Sequence, residues 1–323
     1  MIFDTKYNVL IVGLGNIGLK YDLLENSDKR ILTHSKSFFY HKEFELVGGI
    51  DLNKENRINF EEKYKCKSFE NIKESRFDIN PDIIVVSTPT DKHYENIQEV
   101  LEFFKPKIII CEKPLSYKLN EAFKIIELCK LKNTKLFVNY FRRTMPGTLK
   151  VLSLLKSKSL KYPFKGICFY SKGFFNTSSH FIDLLQFFFG KVLNTKLINR
   201  GDNNEDPEPD FNLTFKEGCV TFLSNKNSSI FINYIDLILQ NGKLTFDNGG
   251  TNIFWRPSEK DIRFSGYNVL GSNSEVFKNN FDKIQFYFCE QIYLAINGKD
   301  NFLCSGDQAL ETQKVLEQIK LQL

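Results

Sequence analysis

Short apolar runs that close on glycine or on a polar cluster recur through the first 140 residues, with amphipathic stretches between them. "YNVLIVGLG" opens the series, followed by "FELVGGID", "PDIIVVSTPT", "PKIIICEKP" and "KLFVNYF". Residues 91–104 ("DKHYENIQEVLEFF") and 117–132 ("YKLNEAFKIIELCKLK") space their apolar side chains at helical intervals. Continuous apolar strands alternating with such helices predict an α/β domain: a doubly wound parallel sheet covered on both faces. Segment 21–43 is longer and more polar than an ordinary connection, which reads as a surface insertion.

After Arg143 the pattern changes. Helices are expected at 145–157 and at 178–189, where the aromatics of "SSHFIDLLQFFF" fall at helical spacing. The runs "FNLTF", "CVTFLS", "SIFINYIDLIL", "GKLTFDN" and "NIFWRP" then alternate with period two. Turns at "KEG", "KNSS" and "QNG" separate them, so an antiparallel sheet is predicted. Residues 277–297 and 305–321 return to helix. The chain thus reads as a doubly wound domain over 1–140 and an α+β domain over 141–323 with a large, mainly antiparallel open sheet. The closing helices are expected to pack back on the first domain.

Composition narrows the class. A chain of 323 residues exceeds what one core usually serves, and 42% hydrophobic with 26% charged residues is that of a soluble globular protein. The net charge of +5 is dispersed, so neither a nucleic-acid stripe nor a cationic membrane helix is indicated. The seven cysteines are odd in number and scattered without a C-x-x-C pair. That argues against a zinc cage or a disulfide framework, leaves no metal expected, and fits a reducing cytoplasm. "MIFDTKYNVLIVGLG" has an early acid and a short apolar run stopped by glycine, unlike a signal peptide or membrane anchor.

Candidate chemistry sits at the ends of the apolar runs. Gly13-Leu14-Gly15-Asn16-Ile17-Gly18 is a G-x-G-x-x-G between a strand and an expected helix. Glycines there permit the tight turn, let backbone N–H groups approach a pyrophosphate and let the helix pack on the strand. A ligand-free strand-to-helix turn is the plainer alternative. Asp51 closes the second strand, where a carboxylate would bind an adenosine ribose and repel a 2′-phosphate. It stands 33 positions after Gly18, against about 20 in the usual fingerprint, and the insertion at 21–43 accounts for the excess. NAD is favoured over NADP because Asp51 is acidic and no arginine follows immediately.

Two further strand ends should face the same crevice: Ser87-Thr88-Pro89-Thr90 with His93, and Glu112-Lys113-Pro114. His93 reads equally well as a residue that merely caps or packs its helix. Lys113 could donate a hydrogen bond to a substrate hydroxyl and stabilise the alkoxide that forms as hydride leaves. Its alternative is a surface ion pair with Glu112 or another carboxylate.

Taken in order, "VGLGNIG", Asp51, "STPTDKH", "CEKPLS", "NYFRR" with Pro146, and "SHFIDLLQFFFG" resemble the Gfo/Idh/MocA oxidoreductases, the family of glucose–fructose oxidoreductase and inositol dehydrogenase. The likeness covers about residues 7–190, and "AINGKDNFLCSGDQALETQKVLEQI" resembles the family's closing helices. It implies an N-terminal Rossmann domain, an α+β second domain, NAD or NADP as cofactor, and a homodimer or homotetramer through the second domain's sheet. It also implies a catalytic group built from Lys113 and from His180 and Asp183, which lie at i and i+3 on one helix. His180 would exchange the hydroxyl proton and Asp183 would hold the ring. On the residues alone, a histidine packed among Phe181, Phe187, Phe188 and Phe189 is an equal reading.

One position departs from the family. Four residues before the histidine, relatives usually carry an aspartate, and this chain has Asn176. An amide can bind a sugar hydroxyl but cannot take a proton. Relatives acting on nucleotide sugars tolerate asparagine, which points to a nucleotide-linked or surface-polysaccharide sugar as substrate. A free polyol of the inositol type is the alternative, as is a non-catalytic NAD-binding regulator. The resemblance implies that Tyr140 and Arg143, with Arg142, line the substrate pocket or hold the two domains together, and a structural salt bridge is an equal reading for one of the arginines; Trp255 is expected in sheet packing.

Overall fold

Ile83–Val86 and Ile108–Cys111 are fully buried along their whole length, as strands covered on both faces must be. The computed structural model describes residues 6–201, 206–225 and 230–323. By contacts the chain divides into one unit of Met1–Thr144 with Asp282–Gln313, and another of Met145–Phe281 with Lys314–Leu323.

The first unit runs β1 (Tyr7–Val12), α1 (His34–Tyr40), β2 (Phe44–Ile50), α2 (Lys54–Tyr64), β3 (Ser68–Phe69), α3 (Ile72–Ser75), β4 (Ile83–Val86), α4 (His93–Phe103), β5 (Ile108–Cys111), α5 (Leu119–Leu131) and β6 (Lys135–Val138). These strands pair in parallel in the order β6-β5-β4-β1-β2-β3. The order reverses at β1, so the switch point lies between β1 and β4, beside the glycine loop. The pleat divides the strands between two cores. Leu10, Val12, Ile84, Val86, Ile109 and Cys111 pack with α4 and α5. Val9, Ile11, Ile83, Val85, Ile108 and Ile110 pack on the opposite face with Phe38, Phe60 and Tyr64. Each fully buried isoleucine contributes on the order of 1.5–3 kcal/mol of hydrophobic stabilisation. Helix α5 turns Ala122, Ile125, Ile126 and Cys129 inward at i, i+3, i+4 and i+7, the period its sequence shows.

The stretch after the glycine loop differs from expectation. No long helix follows Gly18: a single turn and a 3-10 segment, Lys20–Asp22, lead into a loop, and α1 begins only at His34. The cause is Asp22, whose buried carboxylate accepts the N–H groups of Leu32 at 2.6 Å and Thr33 at 3.1 Å and the Thr33 hydroxyl at 2.7 Å. Those bonds fold the chain back, and Thr33 then caps α1. Segment 21–43 is therefore only partly a surface insertion, since His34 to Phe38 are buried. Lys36 sits among them with Nζ donating to Glu25 O at 2.9 Å, and burial pushes its ammonium below the usual lysine range.

The second unit contains α6 (Pro146–Lys156), β7 (Phe164–Tyr170), a π-helical turn (Phe174–Ser178), α7 (Ser179–Phe189), β8 (Asn194–Asn199), β9 (Asp210–Phe215), β10 (Gly218–Ser224), β11 (Tyr234–Leu239), β12 (Gly242–Asp247), β13 (Asn252–Lys260), β14 (Asn268–Leu270) and β15 (Glu275–Lys278). Its sheet is ordered β14-β13-β12-β11-β7-β10-β9-β8, with β15 also on β13. Every pairing is antiparallel except β7 with β10. Strand β7 lies mid-sheet yet was not read from sequence. Apolar residues on both its faces hide the alternation, and Gly166 interrupts it because a Cβ there would stand 2.5 Å from Leu237. The turn expected at 226–229 lies outside the described residues.

The chain closes with α8 (Ile284–Ile296), β16 (Cys304–Ser305) and α9 (Gly306–Lys320). Strand β16 pairs antiparallel on β6, and Phe288 and Ile292 of α8 join the first unit's core. The helix read over 277–297 starts late, because Glu275–Lys278 pairs with β13 as a strand. All seven cysteines are free thiols. No helix among the described residues is long and apolar enough to cross a membrane.

Candidate functional site

The glycine loop is pinned from two sides. Gly13 N–H donates to Ile50 O at 2.8 Å, and the Ser87 hydroxyl donates to Gly13 O at 2.8 Å. Gly13 has φ +97°, and a Cβ on it would lie 2.7 Å from the backbone of Ser87 and Thr88. A Cβ on Gly18 would lie 2.0 Å from Gly13 O. Both glycines are demanded by the protein's own packing. Gly15 is different: a Cβ there meets nothing within 4 Å. The space over Gly15 is a cradle that a side chain would fill, and it lies where the fingerprint seats a pyrophosphate. Asn16 and Ile17 complete the turn, with Asn16 exposed and Ile17 half-buried.

Asp51 follows β2 directly. Its Oδ2 accepts the Leu14 N–H at 2.7 Å and its Oδ1 accepts Asn53 N–H at 2.8 Å, so the carboxylate borders the loop. The sequence reading did not single out Arg57. Its guanidinium donates to Asp51 O at 2.8 Å and Leu52 O at 3.0 Å, and lies 3.4 Å from Glu70.

Thr88 and Pro89 follow β4, and the Thr88 hydroxyl accepts from the Asn96 amide at 2.8 Å. His93 is fully buried, with Nε2 3.0 Å from Thr88 O and Nδ1 3.2 Å from Leu115 O. Burial pushes the imidazole below its usual range, which the two carbonyls and the Glu112 charge only partly offset. The ring ties the strand-end loops of β4 and β5 together.

Glu112, Lys113 and Pro114 follow β5, and the Lys113–Pro114 peptide is cis. Glu112 is nearly buried, Lys113 half-buried. The Gly13–Gly18 loop, Asp51, Thr88, Pro89, Glu112 and Lys113 thus gather at the carboxyl ends of β1, β2, β4 and β5. Tyr140 is buried just past β6. Arg143 is also buried, its Nη1 donating to Gln308 at 2.9 Å. A cavity of about 620 Å³ lined by Asn8, Leu46, Cys66 and Asn80 opens at the amino ends of the strands, away from this group.

In the second unit His180 and Asp183 are buried on α7, and Asn176 lies on the π-helical turn before it. The turn starts at Gly173 (φ +100°), where a Cβ would stand 2.0 Å from Asp206. Asp206 accepts the N–H of Phe175 at 2.7 Å and of Asn176 at 3.2 Å. Burial raises its carboxyl above the usual range although those amides oppose it. Nothing local in the sequence marks Asp206, since its partners lie some thirty residues away.

Residues 7–140 match the model of an oxidoreductase family with an NAD-binding Rossmann fold, Gfo/Idh/MocA. That stretch belongs to the Gfo/Idh/MocA oxidoreductases. The matched residues contain β1 to β6, the parallel strands of the first unit. Among curated proteins, none matches this chain by sequence. Solved structures resemble it over nearly their whole length. The WlbA dehydrogenase from Bordetella pertussis, in complex with NADH and UDP-GlcNAcA, is 17% identical, covers 99% of this chain and 96% of its own, and has a TM-score of 0.75. UDP-N-acetylglucosamine 3-dehydrogenase GnnA from Acidithiobacillus ferrooxidans is 13% identical over 98% of this chain and 97% of its own, with a TM-score of 0.77. An NAD binding oxidoreductase from Klebsiella pneumoniae is 14% identical over 98% and 97%, at 0.78. At such identities the likeness is one of fold, and it extends over both units.

Proposed function

We propose that this chain is an NAD-dependent dehydrogenase that moves hydride between a carbinol carbon of a nucleotide-linked sugar and nicotinamide. The observation that carries the reading is the shared edge: an intact glycine cradle with open space over Gly15, and Lys113 half-buried at the end of β5 on the same side of the same sheet. Bound NAD would supply the hydride acceptor. Gly13, Gly15, Asn16, Ile17 and Gly18 would hold its pyrophosphate, Asp51 its adenosine ribose, and Thr88 and Pro89 would wall the pocket. His93 and Glu112 contribute by fixing the loops on which Thr88 and Lys113 sit.

In this proposal Lys113 donates to the substrate oxygen and stabilises negative charge as it develops. His180 takes the hydroxyl proton, held by Asp183 one helical turn away. Asn176 orients a neighbouring hydroxyl, and Tyr140 and Arg143 shape the pocket. Two of the neighbours in fold are dehydrogenases whose names or bound ligands include UDP-amino sugars, which supports a nucleotide sugar over a free polyol. Assembly through the open face of the second sheet, where Ile238 and Val276 are exposed, belongs to the same proposal. The test is to incubate purified protein with NAD and either UDP-N-acetylglucosamine or its uronic acid and follow nicotinamide absorbance. NADH formation with the UDP-sugars and none with inositol is expected; the reverse selectivity would overturn the substrate class.

A further inference from the structure

A buried polar cluster lies under Lys113. Glu112 Oε1 is 2.8 Å from His34 Nε2 and 2.6 Å from Asn139 Nδ2. Asn139 Nδ2 also reaches Gln285 Oε1 at 3.3 Å. Glu112 Oε2 accepts the backbone N–H of Lys113 at 3.3 Å. The His34 side chain is 1% exposed and that of Glu112 12%. Withdrawing an ionised carboxylate from water is costly, so stability alone is weak ground for keeping it there.

His34 has a second attachment. Its backbone N–H donates to Ile17 O at 3.0 Å, and that of Ser35 donates to Gly18 O at 3.1 Å. The first turn of α1 is thus built on the glycine loop while the His34 ring reaches the end of β5. One residue connects the cradle to the segment that carries Lys113.

We propose that His34 is a positioning residue for Lys113: through the Glu112 carboxylate it fixes the backbone from which the Lys113 ammonium reaches the substrate oxygen. The inference rests on the role given to Lys113 above.

Charge agrees with the geometry. Burial pushes the Glu112 carboxyl up, but the His34 ring, the Asn139 amide and the Lys113 charge outweigh it and hold the carboxyl below its usual range. The folded state therefore favours ionised Glu112. That contribution is present at neutral pH and is lost as pH falls through the lowered value. The other titratable groups that sense this charge are Cys111, whose thiol burial pushes up, and His93 on α4, whose ring burial pushes down.

The test uses the full chain with NADH bound and carbon-13 at the lysine ε and glutamate δ carbons. Lys113→Arg assigns one signal and Glu112→Gln the other. His34→Ala removes the ring and its hydrogen bond, whereas His34→Gln keeps an N–H near the place of Nε2. In His34→Ala the Glu112 titration is expected to move upward and the Lys113 signal to shift, while NADH affinity stays within about threefold. His34→Gln should shift Lys113 less, and turnover of His34→Ala should fall roughly tenfold at constant KM for NAD. A Lys113 signal that stays in place in a variant still binding NADH overturns the proposal. Should His34→Ala fail to fold, His34→Leu, which also lacks the N–H but fills the space of the ring, decides on the same two signals. Lys113→Met separates the two claims: full turnover in it ends the role of Lys113 but not the His34 coupling. An unmoved Lys113 signal beside an inactive Lys113→Met ends only the coupling.

Discussion

Asp51 Oδ2 accepts the backbone N–H of Leu14 at 2.7 Å, so the acid that closes β2 also holds the glycine turn in shape. A bound adenosine ribose would meet a carboxylate already oriented by that bond and by Asn53 N–H at 2.8 Å. Preorganisation of this kind lowers the cost of ordering on binding.

Replacing Asp51 by alanine should therefore weaken NADH binding roughly ten- to hundredfold, the loss of about 1.5–3 kcal/mol expected for hydrogen bonds to a charged group. Asp51→Ala combined with Leu52→Arg should move preference toward NADPH. Calorimetric titration with both cofactors measures the ratio. An unchanged ratio would place Asp51 away from the ribose.

The glycines of the loop should respond differently to the same substitution. Gly18→Ala drives a Cβ to 2.0 Å from Gly13 O, so it should lower Tm sharply or prevent folding. Gly15→Ala meets open space and should leave Tm nearly unchanged, yet cut NADH affinity at least about tenfold by filling the cradle. Melting curves and NADH fluorescence on the two variants check this. Normal affinity in Gly15→Ala would remove the cradle.

Asp206 provides a third case. It accepts two consecutive amides of the turn that carries Asn176, at 2.7 and 3.2 Å. Asp206→Ala should leave NADH affinity intact while lowering kcat/KM roughly tenfold, since a small misplacement of a substrate contact is enough for that. Steady-state kinetics with the UDP-sugar would show it, and unchanged kcat/KM would separate Asp206 from the site.

Much of the first unit was legible because its strands are buried on both faces and read as unbroken apolar runs, as Ile108–Cys111 does. The G-x-G-x-x-G was legible because its three glycines fall within six residues, although packing demands only Gly13 and Gly18 and leaves the space over Gly15 open. What escaped was long-range. His34 meets Glu112 across 78 positions and Asp206 meets Phe175 across 31, and neither pairing leaves a periodic trace. Strand β15 escaped because "EVFK" is too short to show its own period, and its last two residues fall within the helix expected over 277–297. The first helix was misplaced for a physical reason as well. Asp22 captures the amides of Leu32 and Thr33, which overrides the usual helix start after the third glycine.

Lys113 carries most of the proposed chemistry. Stopped-flow mixing of NAD-loaded protein with UDP-N-acetylglucosamine, wild type against Lys113→Met, measures its part in the chemistry directly. Formation of NADH by the wild type, slowed roughly a hundredfold or more in Lys113→Met at equal NAD affinity, is the predicted result. Equal rates in the two proteins would contradict it.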